Sequence, residues 1–114
     1  MAFYPERKIL WNNQTLAASA TPYTVDVPLI GYDMATLGYT FTGSGTIKIC
    51  YKHLLPDGTY AAPGTEGTDD VLVAAGTTAG TAIKPLDLIF GNVIRIELTV
   101  SSSSVTITAW LDLQ

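Results

Sequence analysis

The chain has 114 residues, of which 47% are hydrophobic and 14% are charged, and its net charge is −4 at neutral pH. This length suits one domain with its own core, and the charged fraction is well below the roughly 25% of ordinary globular proteins. The acidic balance and the scattered Lys and Arg residues exclude the clustered basic patch that nucleic-acid binding requires. A surface with few charges is weakly protected against association, which favours a protein that is covered by partners.

The sequence shows neither a membrane-spanning segment nor a secretion signal. No apolar run approaches the roughly 20 residues of a membrane-spanning helix, and no basic-then-apolar signal segment opens the chain. The single cysteine, Cys50, excludes an internal disulfide and fits a reducing compartment. We therefore expect synthesis and folding in a cytoplasm.

Residues 1–22 carry the weakest pattern. Ile9, Leu10 and Trp11 form a short apolar group that is followed by the turn signal of two asparagines. Two interpretations stay open here: an N-terminal arm that packs on a neighbouring molecule, or an edge strand of the protein's own sheet. The remaining residues, 23–114, are predicted to form a β-sandwich domain.

From Tyr23 onward the chain alternates apolar and polar residues, which predicts strands with one buried face. Two long hairpins are predicted, one over residues 35–52 around a Gly-Ser-Gly turn and one over residues 92–114 around four serines. The turn at residues 56–58 is expected to lead into a short strand with Tyr60 facing inward. Because one sheet cannot bury its own apolar face, the pattern predicts a single-domain, all-β antiparallel sandwich or jelly roll of about seven or eight strands.

Few residues in the sequence are candidates for catalysis or for metal binding. Cys50 and His53 lie three apart on a predicted strand, so their side chains point to opposite faces and cannot form a nucleophile–base pair. His53 is expected at the rim of the core and Cys50 in packing, although the flanking Lys48 and Lys52 would lower a thiol pKa. No second His or Cys is present for a zinc site. We predict no catalytic, metal or cofactor-binding residues, and hence no enzyme.

The only group of carboxylates is Asp57, Glu66, Asp69 and Asp70, in and near a Gly-rich loop. The spacing is not that of an EF-hand, and a loop does not position two carboxylates for glycoside hydrolysis. A solvated loop is the favoured interpretation, with a weak calcium site as the alternative.

Trp110 is expected on the polar face of its strand, beside Thr106 and Thr108. An outward Trp serves as an interface anchor or as a platform for sugar stacking. The plainer alternative is that the N-terminal segment covers it.

Three stretches together resemble a known group of proteins: residues 41–51 (FTGSGTIKICY), residues 56–60 (PDGTY), and residues 94–111 with the strand ends IRIEL and VTITAWL. The chain resembles small β-sandwich virion proteins of tailed phages and prophages over roughly residues 35–114. The resemblance implies a component of the virion, either a capsid decoration protein or a tail or fibre accessory. It defines no catalytic residue.

From this resemblance and the low charge, we expect a non-enzymatic structural protein of a phage virion that is made in the host cytoplasm. It is expected to bind itself, with a trimer favoured, and other virion proteins such as the major capsid protein. The interface is predicted at Phe3, Tyr4, Ile9, Leu10, Trp11 and Trp110. Deleting residues 1–11 is then expected to leave a folded domain that no longer binds particles. The alternative is a carbohydrate-binding module that uses Trp110, Tyr32 and Tyr60 as coplanar exposed aromatics.

Overall fold

The computed structural model describes residues 6–86 and 91–114, which form nine antiparallel strands. The strands are β1 (Glu6–Leu16), β2 (Tyr23–Pro28), β3 (Ala35–Thr42), β4 (Thr46–Leu54), β5 (Tyr60–Ala61), β6 (Val71–Thr77), β7 (Gly80–Pro85), β8 (Val93–Ser101) and β9 (Val105–Leu113). No helix that is long and apolar enough to cross a membrane occurs in these two ranges.

The strands form two sheets. One has the order β1-β9-β3-β7, and the other has the order β2-β8-β4-β5, with β6 also paired to β4. Because β5 and β6 occupy successive parts of the same edge of β4, the nine strands fill eight positions. The chain passes from one sheet to the other at every connection except those from β4 through β5 to β6, and this interleaved order is that of a jelly roll. The predicted all-β sandwich or jelly roll is therefore confirmed.

The core lies between the two sheets and is built from the alternation that the sequence predicts. On β8 and β9 every second side chain is buried, including Ile94, Ile96, Leu98, Ile107 and Leu111. Each of these side chains contributes about 1.5–3 kcal/mol when it is fully removed from water. Neither predicted hairpin is a pair of adjacent strands, because β3 and β4 lie in opposite sheets, as do β8 and β9. β8 and β9 each hold an inner position, since β8 pairs with β2 and β4 while β9 pairs with β1 and β3.

The described part of the N-terminal segment, β1, is an edge strand that pairs with β9 along its whole length. The register shifts between Ile9 and Trp11, where two residues of β1 stand opposite Ala109. This bulge turns Leu10 and Trp11 inward together, and both are buried in the core. Because residues 1–11 include two core side chains, we now expect their deletion to destabilise the domain rather than to leave it folded.

Candidate interaction surface

A row of apolar residues crosses the outer face of the four-stranded sheet. Ile9 on β1 is opposite Trp110 on β9, Trp110 is opposite Gly38 on β3, and Gly38 is opposite Ile83 on β7. Directly opposed residues share a face, so these four positions form one line across the sheet, which we call the outer apolar row. Ile9 is 52% exposed and Ile83 is 69% exposed.

The indole of Trp110 lies across Gly38. A Cβ atom built on Gly38 would collide with the Cε2, Cζ2 and Nε1 atoms of the ring. Glycine therefore provides the space in which the ring lies close to the sheet, and Trp110 is half-buried although it points outward. The result is a broad apolar surface of low relief at the middle of the row.

Arg7 and Asp112 stand opposite each other in the next row of the outer face. The guanidinium donates from Nε to Oδ1 of Asp112 at 2.8 Å and from Nη2 to Oδ2 at 3.1 Å, and its carbon lies 5.0 Å from the centroid of the Trp110 ring. The hydrogen bond to Asp112 raises the pKa of Arg7. Both charges are thus satisfied within the face, beside the indole.

Threonines fill the rows on the other side of Trp110. The hydroxyl of Thr81 donates to that of Thr40 at 2.8 Å, and the hydroxyls of Thr15 and Thr106 lie 2.9 Å apart. Thr108 accepts a hydrogen bond from the backbone N–H of Asn13 at 2.8 Å. Since these hydroxyls bond to neighbours within the sheet, the face is polar but uncharged there.

The structure separates the predicted interface residues into two sets. Ile9 and Trp110 lie next to each other on the outer face, whereas Leu10 and Trp11 are core residues whose side chains no partner can contact. Phe3 and Tyr4 lie outside the described residues. Gly38 and Ile83 could not be singled out from the sequence, because only the register across β3 and β7 brings them beside Trp110.

The three aromatics proposed for sugar stacking do not form one platform. Trp110 is on the outer face of the four-stranded sheet, and Tyr32 packs against the core from the loop between β2 and β3. Tyr60 belongs to β5 in the opposite sheet. The glycan alternative therefore lacks the coplanar surface it requires.

Tyr60 was expected to face inward and instead forms a cluster with charged residues. Arg95 lies over its ring at 3.8 Å from the centroid, and Arg95 also donates two hydrogen bonds to Asp26, at 2.7 and 3.1 Å. The Tyr60 hydroxyl donates to Asp26 at 3.1 Å. The hydrogen bond from Arg95 lowers the pKa of Asp26. The cluster links β5 to β2, and its polar groups form hydrogen bonds with one another.

Cys50 and His53 have the placement of packing residues. Both are buried, and the His53 ring lies 5.8 Å from the Tyr51 ring in an edge-to-face arrangement. Burial raises the pKa of the Cys50 thiol and outweighs the attraction of Lys48 and Lys52, which were expected to lower it. The thiol is therefore not an activated nucleophile.

The carboxylates of the acidic loop bind its own backbone. Asp69 accepts from the N–H of Thr65 at 2.6 Å, and Asp70 accepts from the N–H of Gly67 at 2.6 Å. Asp57 accepts from both the N–H and the hydroxyl of Thr59. Within the described ranges, no group of three or more His, Cys, Asp or Glu side chains is arranged to hold a metal ion.

No protein-family model and no curated protein matches the sequence. Among solved structures, the chain is similar to proteins of infectious bursal disease virus. It matches a chain of the infectious bursal disease virus Gx strain with a TM-score of 0.60 and 15% identity, covering 96% of this chain and 32% of that chain. It matches the VP2 subviral particle of the same virus with a TM-score of 0.56 and 12% identity, again over 96% of this chain and 32% of the other. The virus-derived T=1 particles give a TM-score of 0.55 and 12% identity, over 96% and 31% of the two chains. The chain thus spans about a third of the length of these proteins, and at such identities they share its fold.

Proposed function

We propose that this chain is a structural protein of a virus particle and acts by binding other particle subunits. The observation that carries the proposal is the jelly-roll fold, which 96% of the chain shares with proteins of infectious bursal disease virus particles. Jelly rolls also occur in lectins and cupins, so the fold alone does not choose a function. The outer apolar row and the low charge favour assembly over catalysis or sugar binding.

The attachment surface in this proposal is the outer face of the four-stranded sheet. Aromatic residues near the centre of an interface contribute most to binding, and Trp110 lies between the exposed Ile9 and Ile83. The other large exposed apolar side chains among the described residues are Ile30, Met34 and Leu55, which lie between strands. Within residues 6–86 and 91–114, only the outer apolar row places exposed apolar side chains in one line across paired strands.

The resemblance to tailed-phage proteins supports a more specific version. In it, the protein resides in a phage virion as a capsid decoration or cement protein, or as a tail accessory, and its partner is the major capsid protein. Of the predicted interface residues, Ile9 and Trp110 are kept, Phe3 and Tyr4 stay predictions from sequence, and Ile83 is added. Self-association remains part of the proposal, and the preference for a trimer stays a prediction from sequence.

The proposal is tested by adding the purified protein to phage particles that lack this gene product and sedimenting the mixture. We expect the wild-type chain to pellet with the particles at saturable stoichiometry. Trp110→Ala and Ile83→Asp should each weaken binding at least tenfold, because they remove the anchor or place a charge in the apolar row. Ile30→Ser, which changes an exposed apolar residue of a loop, is the matched control and should bind normally. A wild-type chain that stays in the supernatant would contradict the proposal.

A further inference from the structure

The two sheets have four open edges: β1 and β7 in the four-stranded sheet, and β2 and the edge shared by β5 and β6 in the other. An edge strand presents unpaired N–H and C=O groups that can accept another strand, and proteins commonly block such edges. The backbone hydrogen bonds tell which residues of each strand face the open side, because in an antiparallel pair successive residues alternate between facing the partner and facing away.

Proline blocks the open side of β7. The N–H of Leu86 donates to the carbonyl of Ala35 at 3.0 Å, so Leu86 faces β3. The preceding residue, Pro85, stands opposite Thr36 and therefore faces the open side. Since proline has no N–H, one donor of this edge is missing.

The open side of β2 is blocked in the same way. The N–H of Leu29 donates to the carbonyl of Asn92 at 2.8 Å, in register with the β2–β8 ladder. Leu29 therefore faces β8, and the preceding Pro28 faces the open side. β7 and β2 thus each have a proline at an open-side position. The fourth edge is interrupted in another way, since β5 has only two residues and the register of β6 against β4 shifts twice.

From Glu6 to Ile9, where its pairing with β9 is regular, β1 contains no proline. Met34 and Gln114 exchange both of their backbone hydrogen bonds, at 2.9 and 3.0 Å, so Gln114 and every second residue back along β9 face β3. Trp110 and Asp112 belong to this set. Arg7 and Ile9, which stand opposite Asp112 and Trp110, consequently turn their N–H and C=O groups to the open side. No proline occurs in β1, and Ile9 is also 52% exposed.

We propose that β1 pairs with β1 of a second copy of this chain, antiparallel and about a twofold axis at Lys8. In this register Arg7 of each copy stands opposite Ile9 of the other, so both open-side residues of each copy meet a partner and exchange four backbone hydrogen bonds. The two four-stranded sheets become one sheet of eight strands. The outer apolar rows then lie next to each other on one surface, because both contain Ile9.

The charges of β1 are compatible with this self-pairing. Lys8 would stand opposite Lys8 of the second copy, but each ammonium is 2.6 Å from the Glu6 carboxylate of its own chain. Arg7 is likewise paired with Asp112. Each of these charges is therefore neutralised by a partner within its own chain. Two identical β1 edges can approach each other without bringing uncompensated charges together. The inference rests on the proposed function for the expectation of self-association, and it favours a twofold dimer over the trimer expected from sequence.

A cross-link tests the register. Lys8 and its symmetry mate would form a non-hydrogen-bonded pair, whose Cα atoms lie about 4.5 Å apart, a spacing that accepts a disulfide. Lys8→Cys should therefore give a covalent dimer under mild oxidation. Thr24→Cys, at an open-side position of β2, is the matched control and should remain monomeric on a denaturing gel. Failure of Lys8→Cys to cross-link, or equal cross-linking of the control, would overturn the proposed register.

A proline tests the edge itself. Ile9→Pro removes an N–H that the monomer does not use, and should weaken dimerisation at least tenfold in a dilution series followed by light scattering. Thr24→Pro makes the same change on the open side of β2 and should leave the dimer intact. Ile9→Lys, which keeps the backbone and adds an edge charge, gives the same test if Ile9→Pro does not fold. A wild-type chain that is monomeric at all concentrations, or an unaltered dimer in Ile9→Lys, would overturn the inference.

Particle binding separates this inference from the proposed function. A chain that sediments with particles but shows no β1 pairing would overturn the dimer alone. A chain that forms the Lys8→Cys dimer but does not bind particles would overturn the proposed function alone.

Discussion

The indole of Trp110 lies over Gly38, the residue directly opposite it on the neighbouring strand. A glycine inside a strand normally weakens the sheet, because it has no side chain to pack. Here its missing side chain makes room for the largest side chain of the outer face. Although Trp110 points outward, its ring is therefore half-buried against the sheet. The exposed Ile9 and Ile83 lie on either side of this pair.

Gly38→Ala should lift the Trp110 ring from the sheet. The new methyl group would occupy the position of the indole, and the ring can swing away because it is the far end of a side chain. We expect increased quenching of Trp110 by acrylamide in a Trp11→Phe background and a change in stability within about 1 kcal/mol. Thr36→Ala, on the same strand and face but opposite Asp112, is the control. Unchanged quenching in Gly38→Ala would contradict the close packing of this pair.

The two tryptophans should differ sharply in their contribution to folding. Trp11 is 6% exposed and lies in the core, so Trp11→Ala should lower the free energy of unfolding by about 3–5 kcal/mol. Trp110→Ala removes a half-buried surface ring and should cost less than half of that. Chemical denaturation of both variants measures the difference. Similar losses in the two variants would contradict the assignment of Trp110 to a surface role.

Much of the fold could be predicted from alternation alone. Ile94, Ile96, Ile107 and Leu111 follow a strict period of two, and every one is buried. β1 was harder to predict, because its bulge places Leu10 and Trp11 on the same side and breaks that period. From sequence alone, two adjacent apolar residues that break the alternation are equally consistent with an arm that packs on a neighbouring molecule.

The candidate site depended on long-range register. Trp110 was predicted to face outward from its position between Thr108 and Asp112, and it does so. Its partners Gly38 and Ile83 are 72 and 27 residues away in the sequence, and no local pattern indicates that they adjoin it. Tyr60 was placed on the wrong side for a related reason, since its short strand is oriented by Arg95 and Asp26 rather than by its own pattern.

Asp26 should make stability depend on pH in acid. Its pKa is lowered in the folded protein, chiefly by the hydrogen bond from Arg95, so the folded state favours the carboxylate. The stabilisation is present above the ordinary carboxyl pKa of 3.8 and is lost as the pH falls through the lower folded value. The pair is largely solvent-exposed, which limits its contribution to about 1 kcal/mol or less.

Asp26→Asn should therefore be less stable than the wild type at pH 7, and the gap should close below pH 3.8. Urea denaturation at several pH values measures it. Arg95→Met should show the same narrowing gap, since it removes the other half of the pair. A gap that stays constant, or grows in acid, would contradict the assigned cause.

Cys50 should react slowly with thiol reagents. The residue is 9% exposed, and burial raises its pKa, so both access and thiolate fraction are reduced in the folded state. At pH 8 we expect labelling by a chromogenic disulfide reagent to be at least tenfold slower in the native than in the urea-unfolded protein. Equal rates in the native and unfolded protein would contradict the burial of Cys50 in β4.

A cryo-electron microscopy reconstruction of particles saturated with the protein would show directly whether the chain binds them and through which face. We expect ordered density for the jelly roll at repeated positions, with the outer face of the four-stranded sheet, including Trp110 and Ile83, against a particle subunit. Particles without added density, or density in which that face is turned to solvent, would contradict the account.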